Sequence, residues 1–114
     1  MQQRSVSEYR EPVDGGKKME VVHNEKVSRF EIDLGDGLAL VDYIRKADKM
    51  ILTHTEVPAA HENQGIGGRL VKFVLDYIRE NGLTVVPLCP FVAAYIHRNP
   101  SYADLVDGRE DARR

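Results

Sequence analysis

The sequence lacks several features that would place a protein in a specialised class. Cys89 is its only cysteine, which excludes an internal disulfide and a zinc site built from several cysteines. No apolar run approaches the roughly 18 residues that cross a bilayer, and the N-terminus has no apolar stretch typical of a signal peptide. We therefore expect a cytoplasmic protein with no membrane partner.

An excess of positive charge is also missing. The chain has 16 Lys and Arg against 18 Asp and Glu, giving a formal net charge of -2. Nucleic-acid binding draws most of its affinity from a basic face, so we expect no nucleic-acid partner. The four histidines show no spacing typical of metal ligands, and we expect no metal site.

The length and composition favour one domain with polar ends. The 114 residues are 42% hydrophobic and 30% charged, which fits a single domain with a modest core. Residues 1–18 have almost no apolar periodicity, and residues 109–114 are polar. We predict a flexible arm over 1–18, a folded domain over 19–108 and a disordered tail over 109–114.

The first half of the domain has the pattern of an antiparallel meander. Phe30, Ile32 and Leu34 alternate with acidic residues, as in a half-buried strand. Further strands are predicted over residues 38–44 and 50–57. Because the loops between these strands are short, consecutive strands must pair antiparallel.

The second half has the pattern of a parallel crossover. Apolar residues from Ile66 to Ile78 recur on one helix face, and Asn81-Gly82 is typical of a helix end. The strand predicted over residues 84–88 then lies parallel to 50–57. Pro87 removes a ladder hydrogen bond, so the two strands should part and leave a cleft before a short helix over 90–98. The predicted fold is α/β with a mixed sheet.

Three glycines, Gly65, Gly67 and Gly68, stand where the strand gives way to the long helix. Backbone amides at a helix N-terminus, approached without side chains, favour an anion such as a phosphate or pyrophosphate. The dinucleotide-binding fingerprint would need a glycine at Leu70, and the Gly-Lys-Ser/Thr ending of a P-loop is absent. The alternative is that the glycines only relieve crowding at the turn.

Residues 64–70, "QGIGGRL", resemble the acetyl-CoA loop of the GNAT superfamily of N-acetyltransferases. "THTEVP" (53–58), "VVPLCPFVAAYI" (85–96) and "RNPSYADLV" (98–106) are similar to a short, single-domain GNAT-like subfamily with the cysteine motif VPLCP followed by Phe or Tyr. The resemblance implies a GNAT-like fold, acetyl-CoA or coenzyme A as cofactor, and pantetheine lying between the parting strands.

The resemblance also implies which residues bind the cofactor: Val57, Gln64, Gly65, Ile66, Gly67, Gly68 and Arg69. The chain departs from the superfamily at Glu62, where Arg or Gln is usual, so Glu62 either weakens binding or turns outward. Only residues 23–28 separate the first two strands, which leaves no room for the pair of helices that often borders the acceptor site. The acceptor side should therefore be open.

Three residues are candidates for catalysis. Cys89 directly precedes a helix, and the dipole of a helix stabilises a thiolate at its N-terminus. The resemblance implies that Cys89 lies near the thioester, where it could carry the acetyl group. The alternative is that Cys89 is a small buried apolar group. Tyr95 occupies the place of the superfamily's tyrosine acid, or is an ordinary half-buried tyrosine. Glu56, on the strand face of His54, could take a proton from the amine, or belongs to a solvated face.

We therefore expect an acetyl-CoA-dependent N-acetyltransferase that acts on an unidentified small-molecule or protein amine. The transfer would pass through a cysteine or go directly to the amine. The alternative is a module or sensor that binds acetyl-CoA or coenzyme A with little or no catalysis, which the open acceptor side and Glu62 favour. We expect a monomer or weak dimer.

Overall fold

A computed structural model of the protein describes residues 20–107. The predicted arm over 1–18 and tail over 109–114 lie outside the described residues. The described part is an α/β fold with one mixed five-stranded sheet in the order β1-β2-β3-β4-β5, which confirms the predicted class and element order. The strands are β1 (Val21–Asn24), β2 (Arg29–Asp33), β3 (Leu38–Lys46), β4 (Lys49–Glu56) and β5 (Thr84–Pro87), and the α-helices are α1 (Ile66–Glu80) and α2 (Pro90–Arg98).

Strands β1 to β4 form the predicted antiparallel meander. Phe30 and Ile32 are fully buried, and they lie opposite Val41 and Ala39 of β3, so these four side chains share the face that α1 covers. The predicted five-residue connection after β3 is wrong. β3 continues to Lys46 and β4 begins at Lys49, because Ala47 takes a left-handed φ of 52° and closes a turn of two residues.

Helix α1 begins and ends where its sequence predicts. Its buried side chains lie on one face, against the sheet. At its C-terminus Gly82 has a φ of +68°, and the amide of Leu83 donates to the carbonyl of Ile78 at 3.0 Å. This is the Schellman arrangement, which satisfies the carbonyls of the last turn and fixes where the chain leaves the helix. No helix within residues 20–107 is long and apolar enough to cross a membrane.

Strands β4 and β5 are parallel for only part of their length. Their register runs from Lys49 opposite Thr84 to Leu52 opposite Pro87. Beyond Pro87, which has no amide hydrogen, the chain turns away after one last bond from the Cys89 amide to the Leu52 carbonyl at 2.9 Å. β4 runs on to Glu56, where it pairs with β3 alone. The predicted parting of these strands is confirmed.

A β-bulge in β4 decides which side chains face the helices. Asp42 lies opposite His54 but Tyr43 lies opposite Leu52, so Thr53 is an extra residue on β4. Beyond the bulge, Thr55 lies opposite the core residue Val41 and therefore faces the helices. His54 and Glu56 consequently lie on the other face of the sheet.

Candidate functional site

A cleft opens where β4 and β5 part. Its volume is about 580 Å³, within the range of pockets that hold small ligands and cofactors. The end of β4, the loop before α1, and one face of α2 form its walls. The lining residues are Thr55, Val57, Glu62, Asn63, Gly65, Gly67, Gly68, Phe91, Tyr95 and Arg98.

The N-terminus of α1 forms one wall of this cleft. Gly65 has a φ of +76°, a left-handed conformation that glycine adopts without strain, and no side chain in the described part of the chain caps the helix. The first helical bond runs from the Arg69 amide to the Gly65 carbonyl at 3.1 Å. The amides of the residues between these two therefore have no acceptor within the helix, and with the helix dipole they favour an anion.

The glycines of this wall also make room for α2. A Cβ atom on Gly67 would lie 2.8 Å from Cζ of Phe91 and 3.5 Å from Cγ2 of Val57. A Cβ on Gly68 would lie 3.6 Å from Cε2 of Tyr95, which is ordinary contact. A side chain at residue 67 would therefore make the Phe91 ring shift, so Gly67 has a packing role in addition to its place in the turn.

Helix α2 presents one stripe of side chains to the cleft. Phe91, Tyr95 and Arg98 follow each other at i, i+4 and i+7, while Val92 and Ile96, about 100° further around the helix than Phe91 and Tyr95, are buried. Sequence reasoning identified Tyr95 and missed Phe91 and Arg98. The helical spacing from Tyr95 is a signal that could have found both.

Tyr95 lies partly buried on this stripe. Burial raises the pKa of its hydroxyl above the ordinary 10.0, and the nearby Lys72 ammonium partly opposes the shift. The hydroxyl therefore keeps its proton at neutral pH. Since it forms no hydrogen bond within residues 20–107, this proton is free to meet a bound group in the cleft.

Cys89 lies beneath the point where the strands part. It is the N-cap residue of α2 and is only 5% exposed. Its thiol donates a hydrogen bond to the Thr55 hydroxyl at 3.3 Å, and Thr55 lines the cleft. The structure thus places Cys89 against the cleft wall, covered by its neighbours rather than open to it.

Glu56 and His54 do not join Cys89 and Tyr95 in the cleft. Both are exposed on the other face of the sheet, where His54 Nε2 is 3.3 Å from a carboxylate oxygen of Glu56. No group of three His, Cys, Asp or Glu side chains among the described residues is arranged to hold a metal ion.

The remaining predicted cofactor residues face away from the cleft. The Gln64 side chain is hydrogen bonded to His61, whose other ring nitrogen is 2.9 Å from Asp36 and lowers the pKa of that carboxyl. Ile66 is 1% exposed and belongs to the core, and Arg69 is not part of the lining. Of these three residues only Ile66 has a backbone amide left for a ligand, because the Gln64 amide donates to the His61 carbonyl and the Arg69 amide donates to the Gly65 carbonyl.

Comparison with known proteins identifies the family to which this chain belongs. The profile of the GCN5-related N-acetyl-transferase family matches residues 29–105. The chain is 30% and 29% identical to Protein NATD1 of Gallus gallus and of Homo sapiens in alignments over 92 residues, and the alignments cover 77% of this chain and 83% and 80% of those proteins. The NMR structure of a GCN5-like protein from Staphylococcus aureus aligns with a TM-score of 0.63 and 28% identity, covering 78% of this chain and 88% of that one. The chain belongs to the GCN5-related N-acetyltransferase family.

Proposed function

We propose that the protein transfers an acetyl group from acetyl-CoA to an amine. The observation that supports this best is the parting of β4 and β5 beside an uncapped helix N-terminus, because it joins a slot for an extended arm to a site for an anion. Family membership supports the reaction class.

The residues of the cleft fit the two ends of such a cofactor. The amides of Gly65, Gly67 and Gly68 would donate to its diphosphate. Val57 and Phe91 give the slot apolar walls, and the space beside Gly67 holds the Phe91 ring in place. When bound, acetyl-CoA supplies an acetyl thioester activated for transfer.

Two side chains would move protons in this reaction. The Tyr95 hydroxyl holds a proton on the cleft side and would give it to the departing sulfur. Glu56, with its carboxylate on the open face of the sheet, would accept a proton from the amine as it approaches β4. The acceptor amine would therefore bind on the face opposite the helices.

Cys89 is the candidate for a two-step route. In the first step its sulfur would bond to the acetyl carbon as the bond to the coenzyme A sulfur breaks, and its thiol proton would pass to the departing thiolate. In the second step the amine would attack the acetyl carbon, the bond to the Cys89 sulfur would break, and the amine proton would return to that sulfur. Because Cys89 is 5% exposed and its thiol is bonded to the Thr55 hydroxyl, this route requires the thiol to leave that hydrogen bond and its neighbours to uncover it. In the one-step route the amine attacks directly and Cys89 keeps its proton.

A coenzyme A-binding role without catalysis is the second candidate. The observation that favours it is that, among residues 20–107, Glu62 is the only carboxylate or histidine that lines the cleft. On the cleft side, a general base for the amine would therefore have to be this residue of the loop. Such a protein would bind the cofactor without moving the amine proton.

An amide NMR titration with acetyl-CoA tests the proposal. We expect shifts at Gly65, Gly67 and Gly68 and around Cys89, with Gly35 and Gly82 as internal controls because they are left-handed glycines outside the cleft. No shift at millimolar acetyl-CoA would contradict both candidates. Turnover with a panel of amines separates the enzyme from the binding module, and a gain of one acetyl mass on Cys89 in the same sample would identify the two-step route.

A further inference from the structure

Among residues 20–107, two charged side chains line the cleft, and they have opposite signs. Glu62 belongs to the loop before α1, and Arg98 is the last residue of α2. Glu62 opposes the binding of any anion at the neighbouring amides. A ligand with phosphates at this end of the cleft therefore needs a cation to balance Glu62.

Two other basic side chains near the glycine loop, Lys72 and Arg69, do not supply that cation. The Lys72 ammonium is 3.0 Å from the Asp76 carboxylate in an i, i+4 ion pair and does not line the cleft. Arg69 does not line it either. Arg98 is exposed and makes no ion pair with any residue between 20 and 107, so its guanidinium can meet a ligand without first losing a partner.

The α2 stripe changes from apolar to cationic along its length. Phe91 stands at the end near the parting strands, Tyr95 follows one turn later, and Arg98 comes about 10 Å from Phe91 along the helix axis. Arg98 follows Tyr95 by about one helical turn, and both residues line the cleft. An elongated ligand with an apolar arm and an anionic end would match this order.

We propose that Arg98 binds a phosphate of coenzyme A and thereby offsets the repulsion from Glu62. A planar guanidinium donates two parallel hydrogen bonds to phosphate oxygens, a geometry that an ammonium does not provide. Arg98 then selects for phosphorylated pantetheine derivatives, while the cleft walls bind the pantetheine arm. This inference rests on the proposed function, since it names a determinant of the same cofactor site.

Binding calorimetry with three ligands and four proteins tests it. The ligands are coenzyme A, dephospho-coenzyme A, which lacks the 3′-phosphate, and pantetheine, which lacks all phosphates. The proteins are the wild type, Arg98→Gln, Arg98→Lys and the control Arg45→Gln. Arg45 is an exposed arginine beside the β3–β4 turn, and it does not line the cleft.

We expect Arg98→Gln to weaken coenzyme A binding about tenfold, Arg98→Lys to weaken it less, and Arg45→Gln to leave it unchanged. Pantetheine should bind all four proteins alike. A loss with dephospho-coenzyme A as well assigns Arg98 to the diphosphate, and a loss confined to coenzyme A assigns it to the 3′-phosphate.

Two results would overturn the inference. One is an Arg98→Gln protein that binds coenzyme A as tightly as Arg45→Gln does, and the other is an equal loss for coenzyme A and pantetheine. In both cases the wild type still binds coenzyme A and the proposed function stands. If the wild-type protein binds none of the three ligands, the proposed function fails together with the inference.

Discussion

Two groups of aromatic side chains lie towards opposite ends of helix α1, and only one of them is closed. The closed cluster is His23, Phe30, Tyr43 and Tyr77. His23 stacks on Phe30 with ring centroids 4.1 Å apart, and its Nε2 is 2.6 Å from the Tyr43 hydroxyl. The cleft pair is Phe91 and Tyr95, of which Phe91 is 41% exposed, and the Tyr95 hydroxyl has no hydrogen-bond partner among the described residues.

The difference separates stability from function. In the closed cluster, the four rings pack against one another and His23 is hydrogen bonded to the Tyr43 hydroxyl, so these contacts stabilise the fold. In the cleft pair, apolar area and a protonated hydroxyl remain available. We therefore expect substitutions in the closed cluster to lower the free energy of unfolding, and substitutions in the cleft pair to lower binding or turnover.

The largest effect should come from Phe30→Ala. Phe30 is fully buried and contacts His23, Tyr43 and Tyr77, so its removal leaves a cavity and should lower the free energy of unfolding by about 3–5 kcal/mol. Phe91→Ala is the matched control, with an expected loss of about 1 kcal/mol because much of that ring is already in water. Urea unfolding of both variants measures the contrast, and equal losses would contradict it.

Tyr95→Phe should give the next largest effect, on turnover rather than stability. Loss of the proton donor should lower kcat about 100-fold, while the free energy of unfolding should change by less than about 0.5 kcal/mol. Tyr77→Phe removes a hydroxyl from the closed cluster and should leave kcat unchanged. Burial raises the pKa of Tyr95 above its ordinary 10.0, so the hydroxyl should keep its proton below pH 10. The kcat of the wild type should therefore show no fall from loss of this proton below that pH. An unchanged kcat in Tyr95→Phe would exclude the acid role.

The course of the chain was largely predictable from the sequence. Helix α1 and helix α2 have the predicted bounds because capping residues, proline and the spacing of apolar residues act within one or two turns. The parting of β4 and β5 followed from Pro87 for the same reason, since a missing amide hydrogen is a local property.

The arrangement of the site was less predictable. The bulge at Thr53, which turns Glu56 away from the cleft, depends on how β4 pairs with β3. The contact between Gly67 and Phe91 joins residues far apart in the chain, and a packing reason for a glycine leaves no pattern in its neighbours. Arg98 resembles any exposed arginine until the stripe that it shares with Tyr95 is seen to face the cleft.

Gly67→Ala should have an intermediate effect that tests the packing of the cleft pair. The new Cβ would displace the Phe91 ring into the slot, so we expect coenzyme A to bind about fivefold more weakly. The free energy of unfolding should change by less than about 1 kcal/mol, because alanine favours the helix. Gly68→Ala is the control, since its Cβ finds ordinary contact with Tyr95. In a Phe91→Ala background, Gly67→Ala should cost no further affinity. Additive losses would mean that Gly67 acts on the ligand directly.

The smallest expected effect is a slope of stability against pH in the closed cluster. Burial lowers the pKa of His23 below its ordinary 6.5, with Arg45 acting in the same direction and Glu25 against it. The unfolded chain therefore takes up this proton first, so the free energy of unfolding is undiminished above pH 6.5 and falls as the pH drops below it. The Arg79 guanidinium lowers the pKa of the Asp104 carboxyl below its ordinary 3.8, so the contribution of Asp104 is lost only at still lower pH. His23→Gln should remove the slope between pH 6.5 and 5, whereas His97→Gln, at an exposed position on α2, should keep it. If the slope survives in His23→Gln, another group titrates there and the closed cluster does not hold His23 neutral.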